Sequence, residues 1–411
     1  ARAITLLSQL SSDVRQYLLV TGNYWAFTLT DGALRMLVVL HFHTLGYSPL
    51  EIALLFLFYE FFGVVTNLVG GWLGARIGLN RTMNIGLGLQ VVALAMLLVP
   101  AAMLTVPWVM AAQALSGIAK DLNKMSAKSA IKLLIPDGAN QSLYRWVAFL
   151  TGSKNSLKGA GFFLGGLLLW WLGFQGAVLA MATLLSFTLL LSLVKLGKDL
   201  GVAKSKPKFS QIFSKSGNIN ILSAARLFLF GARDLWFVVA LPVYLSAELG
   251  WAHTEVSSFL ALWVIGYGVV QSLAPYLTGK RSGIQPNQAQ PVLWSLVLLV
   301  PLLALATQLS TSSDPGNWLV IGLLVFGTLF AINSSLHSYL IVNLADRDSV
   351  SLDVGFYYMA NAAGRLIGTL LSGYLYQAYG LEACLWAAAL FIFCCTLLST
   401  QLKFDGFAKQ Q

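Results

Sequence analysis

Apolar stretches of roughly 20 residues, the length that an α-helix needs to cross a bilayer, recur along the whole chain. The polar breaks between these stretches are mostly short. We therefore predict an all-α membrane protein with twelve transmembrane helices. The predicted spans lie near residues 17–41, 50–73, 83–104, 108–131, 144–171, 174–194, 219–246, 255–278, 291–309, 317–343, 353–376 and 380–402.

Composition excludes a soluble fold. Hydrophobic residues make up 57% of the chain and charged residues only 10%, whereas soluble domains are about 25% charged. Residues 1–16 hold no apolar core followed by a small-residue cleavage site, so we expect no removable signal peptide. The first span itself then directs insertion of the chain into the membrane.

The net charge of +10 comes largely from basic residues in the loops, and their positions indicate how the chain is oriented in the membrane. With an even number of spans, the basic residues of the loops all fall on the side that holds both termini. The positive-inside rule then places both termini in the cytoplasm, and we expect no nucleic-acid partner. These residues are Arg2, Arg15, Arg76, Arg81, Arg145, the lysines of 195–215, Lys280, Arg281, Arg347, Lys403 and Lys409.

The three cysteines all lie in the last predicted span. Cys384 and Cys394 are ten residues apart, which is roughly 15 Å along a helix and too far for a disulfide or a shared metal ion. We expect these side chains to serve packing, and we expect no metal or other cofactor.

An internal repeat divides the chain into two similar halves. A shift of 204 residues relates the ends of spans 1 and 2 to those of spans 7 and 8, and a shift of 207 relates span 5 to span 11. The paired positions include Gly46 and Gly250, Glu51 and Glu255, Arg76 and Lys280, Lys158 and Arg365, Gly161 and Gly368, and Gly173 and Gly380. We predict a six-helix bundle over 1–194, a basic cytoplasmic linker over 195–217 and a second six-helix bundle over 218–411.

This duplicated arrangement resembles the major facilitator superfamily. The loop after span 2 fits the glycine-and-arginine signature of that superfamily through Gly71, Leu73, Arg76, Gly78 and Arg81. Ala75 stands where the signature usually has an aspartate, so the usual latch at this loop is weakened or replaced. We take Gly71 and Arg76 as candidate gating residues.

Span 5 carries a second, partial match. Gly152, Gly161 and Gly165 follow the glycine spacing of antiporters, but Gly166 replaces the expected proline. This partial match indicates antiport but does not establish it.

Lysines run down span 4 and recur in span 5. Lys120, Lys124, Lys128 and Lys132 follow one another every fourth residue, as do Lys154 and Lys158. A lysine at the bilayer centre costs roughly 2.5–3.5 kcal/mol, so the deep ones must face water, protein or an anion. An ion-pair network, with Asp121 neutralising part of the stripe, is one explanation, and snorkelling explains Lys128 and Lys132. Binding of an anion is the other.

Span 1 carries a polar stripe of Tyr24, Thr28, Asp31 and Arg35 on an otherwise apolar helix. Such a stripe must line a cavity, and Asp31 and Arg35 are spaced for an ion pair that is either structural or opened by a competing anion. The acids Glu60 and Asp234 are candidates for a coupling proton, although a partner among Arg35, Arg226 or Arg233 explains each of them equally well.

The second half contributes fewer basic residues, and these are mostly arginines. Arginine gives planar two-point contact with oxyanions, while lysine is a mobile point charge. The resemblance implies that spans 1, 4, 7 and 10 line a central cavity. The candidate binding residues of this half are Arg226, Arg233, Asn333, Ser334, His337 and Arg365.

We find no constellation that indicates an enzyme. The glycines of 159–166 lie inside a hydrophobic helix, where close helix packing explains them, and no phosphate-binding Gly-Lys-Ser/Thr loop follows a strand.

Four runs, at 21–43, 114–132, 145–159 and 224–242, resemble a narrower family, the bacterial organoarsenical efflux permeases of the major facilitator superfamily. That resemblance implies export, across a bacterial inner membrane, of 1-arseno-3-phosphoglycerate. This compound forms when glyceraldehyde-3-phosphate dehydrogenase uses arsenate in place of phosphate, so the dehydrogenase is the expected functional partner. Exchange of other organic anions, and a receptor that binds an anion without moving it, are the alternatives.

Overall fold

The computed structural model describes residues 11–47, 55, 57–198, 200–213, 215–278 and 289–403. Five residues used for the orientation or the repeat lie outside this part of the chain, namely Arg2, Glu51, Lys280, Arg281 and Lys409.

The first half consists of six long helices. They are α1 Ser12–Thr44, α2 Leu57–Ile77, α3 Leu79–Met96, α4 Val106–Leu134, and a stretch Asn140–Lys195 that a non-helical residue, Gly173, divides into α5 (140–172) and α6 (174–195). A short 3-10 helix, Ala101–Met103, precedes α4, and another, Phe209–Phe213, lies in the linker.

The second half repeats this pattern. Its helices are α7 Gly217–Ala247, α8 His253–Thr278, α9 Ala289–Gln308, α10 Pro315–Leu344, α11 Val350–Tyr379 and α12 Leu381–Ser399. The described residues contain no strand. The all-α fold with twelve spans in two six-helix halves is confirmed.

Six helical stretches of the described chain are long and apolar enough to cross a membrane by themselves. They are Asn140–Lys195, which holds both α5 and α6, Gly217–Ala247, Thr254–Thr278, Ala289–Gln308, Pro315–Leu344 and Leu381–Ser399. Helix α4, by contrast, owes its lower hydropathy to the lysine stripe.

One predicted span is interrupted. The sequence predicts one uninterrupted helix over 219–246, but α7 consists of Gly217–Phe237 and Ala240–Ala247 with a turn at Val238 and Val239. Pro242 accounts for the break, because it has no N–H to donate to the carbonyl of Val238, four residues earlier.

The repeat is visible in the backbone. Gly46 and Gly250 have φ of 89° and 71°, and Gly173 and Gly380 have φ of 71° and 84°. Side chains other than glycine rarely adopt this left-handed region, so both halves place a glycine at equivalent turns.

The described chain falls into two compact units. Unit 1 comprises residues within Ala1–Trp146, Ser153–Ser214 and Ala345–Phe356, and unit 2 those within Val147–Gly152, Lys215–Leu344 and Tyr357–Gln411. Each has its own apolar core. Phe27, Leu87, Val109 and Val178 are among the core residues of unit 1, and Trp236, Leu302, Phe326 and Leu385 among those of unit 2.

Small residues let helices approach closely in both units. In unit 1, a Cβ at Gly161 of α5 would lie 2.8 Å from the carbonyl oxygen of Leu29 in α1. In unit 2, a Cβ at Gly368 of α11 would lie 2.5 Å from the carbonyl oxygen of Gly231 in α7. Because such contacts leave no room for a side chain, the repeated glycines fix equivalent helix crossings.

Candidate functional site

The lysine stripe of α4 is largely buried within unit 1. Lys120 and Lys128 are 9% and 3% exposed, and Lys124 is partly buried. Lys128 is therefore not a snorkelling residue with its head in water. Burial of ammonium groups is costly without partners, so their neighbours decide what the stripe does.

Asp121 is the carboxylate that pairs with the stripe. Its Oδ1 lies 3.0 Å from Lys124 Nζ, and its Oδ2 lies 3.9 Å from Lys120 Nζ. One carboxylate, 1% exposed, thus contacts two lysines of the stripe.

Helix α5 brings two further amino groups to the same place. Lys154 lies within electrostatic range of Lys158, Lys124, Lys128 and Lys120. We call these five residues the lysine cluster. Because like charges packed together repel, an anion that enters the cluster is strongly stabilised there.

Tyr59 of α2 connects the cluster with α1. Its hydroxyl donates to both carboxylate oxygens of Asp31, at 2.9 and 3.0 Å. Lys120 Nζ lies 4.1 Å from the centroid of the same ring, and Arg35 Cζ lies 5.7 Å from it. The approach requires a small residue on α4, because a Cβ at Gly117 would lie 2.7 Å from the Tyr59 carbonyl oxygen.

Two other sequence candidates lie on the same helices. Tyr24 of α1 is 1% exposed, and Glu60, next to Tyr59 on α2, is half-buried. Trp25 donates from Nε1 to Ser153 Oγ at 2.8 Å and so ties α1 to α5 beside Lys154.

Lys132 ends the stripe beyond the predicted span. Burial lowers the pKa of its ammonium group, and nearby Asp137 opposes this effect. Arg347 donates to the Lys132 carbonyl at 3.1 Å and to Asp137 Oδ1 at 2.8 Å. The guanidinium therefore caps the C-terminal end of α4, where orphan carbonyls need donors.

Unit 2 contains a buried arginine with no acidic partner in the described chain. Arg226 of α7 is 2% exposed, donates from Nε to Asn361 Oδ1 at 2.8 Å and from Nη1 to the Ser334 carbonyl at 3.3 Å. Its guanidinium carbon lies 3.7 Å from the centroid of the Phe230 ring. A stacked and hydrogen-bonded guanidinium is held rigidly while it keeps its charge.

Asp234, by contrast, lies between two arginines. Its Oδ1 is 2.7 Å from Arg233 Nη2, and its Oδ2 is 3.1 Å from Arg365 Nε. Two cations share one buried carboxylate, as in the lysine cluster. The partner of Asp234 is thus Arg233 together with Arg365, rather than Arg226.

The two α10 candidates differ in their surroundings. His337 is fully buried, and neither of its ring nitrogens has a hydrogen-bond partner among the described residues. The same holds for the hydroxyl of Tyr357, whose ring centroid is 5.2 Å from Arg226 Cζ. Asn333 donates to the carbonyls of Trp294 and Leu329, both at 2.9 Å, and so ties α10 to α9.

The loop signature of the first half lies at the end of α2. A Cβ at Gly71 would collide with the Ser351 carbonyl, and Ser351 Oγ donates to the Gly71 carbonyl at 2.7 Å. Arg76 is exposed, with its guanidinium carbon 5.3 Å from the centroid of the Trp72 ring. Ala75 is fully buried in a small apolar cluster with Ala203, so packing with the linker occupies the place of the missing acid.

Sequence reasoning missed Tyr59, Phe230, Tyr357 and Asn361. The available signals were Tyr59 directly beside an acid within an apolar span, and Tyr357 and Asn361 one helical turn apart in α11. Among the described residues, no group of three His, Cys, Asp or Glu side chains is placed to hold a metal ion, and the three cysteines are free.

Solved structures share this fold over nearly the whole chain. The Escherichia coli fucose:proton symporter covers 96% of this chain and all of its own, with a TM-score of 0.74 and 13% identity. The human organic anion transporter MFSD10 covers 95% of this chain and 100% of its own, with a TM-score of 0.74 and 16% identity. A bacterial homologue of the iron transporter ferroportin covers 94% and 99%, with a TM-score of 0.75 and 14% identity. A search of curated proteins found no match.

The family model of the Major Facilitator Superfamily matches residues 18–239 and 222–404. The chain belongs to that superfamily, and it is therefore a polytopic membrane transporter of small solutes that works by alternating access, not an enzyme.

Proposed function

We propose that this transporter exports 1-arseno-3-phosphoglycerate and so confers resistance to arsenate. The observation that carries the proposal is the lysine cluster, in which Lys154 of α5 lies within electrostatic range of four other lysines of α4 and α5, two of which pair with the carboxylate of Asp121. The sequence runs that resemble organoarsenical efflux permeases contain this cluster.

The charge of the cargo suits such a site. An arsenate ester at one end and a phosphate at the other carry about three to four negative charges together. Within unit 1, Lys120, Lys124, Lys154 and Lys158 are the proposed anion ligands, together with Tyr24, Asp31 and Arg35 of α1. When the cargo is absent, Asp121 pairs with Lys120 and Lys124, and Tyr59 donates to Asp31.

Unit 2 supplies anion-binding groups of another kind. Arg226 presents a rigid guanidinium with two aromatic neighbours, Phe230 at 3.7 Å and Tyr357 at 5.2 Å from their ring centroids. Arg233, Arg365, Asn333 and His337 complete the proposed set of ligands in this unit. The proposed ligands of unit 2 are thus mainly guanidinium groups, whereas those of unit 1 are mainly amino groups.

Several residues are proposed to act in gating or coupling rather than in binding. Gly71 and Arg76 belong to the loop signature after α2. The acids of this set are Glu60, Asp121 and Asp234. The membrane potential alone favours the exit of an anion by about 2.3 kcal/mol per charge per 100 mV, so export has a driving force with or without a coupling ion.

The proposed setting is the inner membrane of a bacterium, with both termini in the cytoplasm. The functional partner is glyceraldehyde-3-phosphate dehydrogenase, which makes the cargo when arsenate replaces phosphate. Cells that express the transporter and the dehydrogenase together should survive arsenate better than cells that express either one. No gain from the pair would refute the substrate.

A second candidate is the export or exchange of ordinary organophosphates or other organic anions. Arsenate and phosphate esters both carry negatively charged oxygen atoms in a tetrahedral arrangement around the central atom. The amino groups of the lysine cluster therefore suit both. Competition by unmodified 3-phosphoglycerate in a transport assay distinguishes the two cargoes. A vesicle assay at clamped pH tests whether protons are coupled to either one.

A further inference from the structure

A short helix of the linker between the two halves exposes two large aromatic side chains. The 3-10 helix Phe209–Phe213 begins and ends with a phenylalanine, and these two side chains are 57% and 67% exposed. Apolar side chains on a span are exposed to lipid, but this helix lies outside the predicted spans. A pair of exposed aromatic rings on a linker indicates a contact with a membrane surface or with another protein.

The linker helix is fixed to the end of α2. Ile212, only 1% exposed, packs in the small apolar cluster that also contains Ala75 of α2. Trp72 Nε1 donates to the Pro207 carbonyl at 3.1 Å, and the rings of Trp72 and Phe209 meet edge to face with their centroids 5.4 Å apart. The exposed rings are therefore held on a helix of unit 1.

This part of α2 lies where the predicted span ends. The span ends near residue 73, and Trp72 and Arg76 lie about one helical turn apart on either side of that point. Tryptophan is enriched where a span meets the headgroups, and Arg76 is exposed, as a basic side chain at that depth is expected to be. Because Phe209 contacts Trp72, the linker helix lies at the depth of the membrane surface.

The chain around the exposed rings is basic. Residues 203–215 include four lysines and no acidic residue in the sequence. An acid from elsewhere, Asp348, contacts this stretch, since its Oδ1 accepts from the backbone N–H of Lys204 at 3.0 Å. Lys206 and Lys208 follow that contact and are exposed. Aromatic rings beside ammonium groups complement a surface that is apolar within and negatively charged at its face.

We propose that residues 206–213 form an interfacial anchor that binds an anionic lipid surface. Phe209 and Phe213 enter the acyl region of the leaflet at the end of α2, while Lys206 and Lys208 contact the phosphate groups of anionic lipids. The rings supply insertion and the lysines supply the preference for anionic headgroups, so the two contributions are measured separately. The inference is independent of the cargo.

Photo-crosslinking of the full-length transporter tests the insertion. Phe213 is replaced by p-benzoyl-phenylalanine, which keeps an aromatic side chain at this position, and the protein is irradiated in nanodiscs of phosphatidylglycerol and phosphatidylcholine in equal amounts. Mass spectrometry of the peptides counts the lipid adducts. The control carries the same crosslinker at Ser205, an exposed polar residue of the same linker. We expect roughly threefold more lipid adducts from position 213, and equal yields would overturn the proposal.

Charge variants of the same crosslinking protein test the preference for anionic lipid. Lys206→Gln with Lys208→Gln should lower the share of phosphatidylglycerol among the adducts by roughly twofold. The matched control, Lys195→Gln with Lys403→Gln, removes two exposed charges outside the anchor and should leave that share unchanged. The same share in both double variants would show that the anchor lysines do not select anionic lipid, which contradicts the proposal.

Irradiation of the Phe213 crosslinking protein in intact cells separates the membrane from other occupants of the patch. Lipid adducts should again predominate there. Adducts that join two copies of the transporter, or the transporter and another protein, would assign the exposed rings to a protein contact and overturn the proposal.

Discussion

The Tyr59 hydroxyl donates hydrogen bonds to both carboxylate oxygens of Asp31, while the Tyr59 ring faces the Lys120 ammonium at 4.1 Å from its centroid. One α2 side chain therefore engages an acid of α1 and a base of α4 at the same time. As long as Tyr59 satisfies Asp31, that carboxylate competes less for the cations that would bind an anionic cargo.

Replacing Tyr59 by phenylalanine tests this arrangement. Tyr59→Phe keeps the ring but removes both hydrogen bonds to a buried acid, which costs about 1–3 kcal/mol of stability. Asp31 should then turn to the neighbouring cations, so the KM for an anionic cargo should rise severalfold in vesicles. Tyr374→Phe, at a side chain that is 64% exposed, is the control. An unchanged KM in a folded Tyr59→Phe protein would show that the hydroxyl has no part in anion binding.

Variants at Lys124 and Asp121 test whether Lys124 binds the anionic cargo or only neutralises Asp121. Lys124→Ala should lower transport at least tenfold while the protein still inserts into the membrane. The double variant Lys124→Ala with Asp121→Asn also removes the charge of the buried carboxylate that has lost its nearer lysine, and it should stay equally inactive. Transport and membrane insertion are measured side by side, with Asp121→Asn alone as the control. Recovery of transport in the double variant would mean that Lys124 only neutralises Asp121.

Arg226 is expected to require its guanidinium and not merely a positive charge. Arg226→Lys keeps the charge but loses the planar group that bonds to Asn361 and stacks on Phe230. We expect transport to fall about as far in Arg226→Lys as in Arg226→Gln, which initial-rate measurements in vesicles can compare. Near wild-type rates for Arg226→Lys would show that charge alone suffices.

Because α5 packs closely on α1, we expect alanine substitutions at two glycines of α5 to differ in their effect on stability. Gly161→Ala places a Cβ 2.8 Å from the Leu29 carbonyl oxygen and should destabilise the protein by about 1–3 kcal/mol. Gly166→Ala, whose Cβ would have its nearest neighbour 3.8 Å away at Leu40, should be neutral or stabilising. Thermal unfolding in detergent compares the two. Equal unfolding midpoints would contradict the packing argument.

Much of the fold could be predicted from sequence because the bilayer imposes a length on each apolar stretch. The glycine pairs Gly46 and Gly250, and Gly173 and Gly380, also indicated the repeat correctly, since all four adopt positive φ. The turn inside α7 was missed, because the continuous hydropathy of that stretch outweighed the signal from Pro242.

The candidate site was predictable only in part. A charge inside an apolar span is visible in sequence, so Lys120, Asp121 and Arg226 stood out. Tyr59 did not, because an aromatic residue in a span is ordinary, and only the packing of α2 against Gly117 brings its hydroxyl to Asp31. The spacing within one helix also could not reveal that Arg365 of α11 shares Asp234 with Arg233.

The most direct test of the proposed cargo uses inside-out membrane vesicles with and without the transporter. The dehydrogenase, glyceraldehyde 3-phosphate, NAD⁺ and arsenate are supplied outside, so that the arsenylated product forms in the medium, and arsenic trapped in the vesicles is measured by mass spectrometry. The proposal predicts arsenic uptake that requires the transporter, the dehydrogenase and its substrate together. Uptake no greater than in vesicles without the transporter, or equal uptake from arsenate alone, would contradict it.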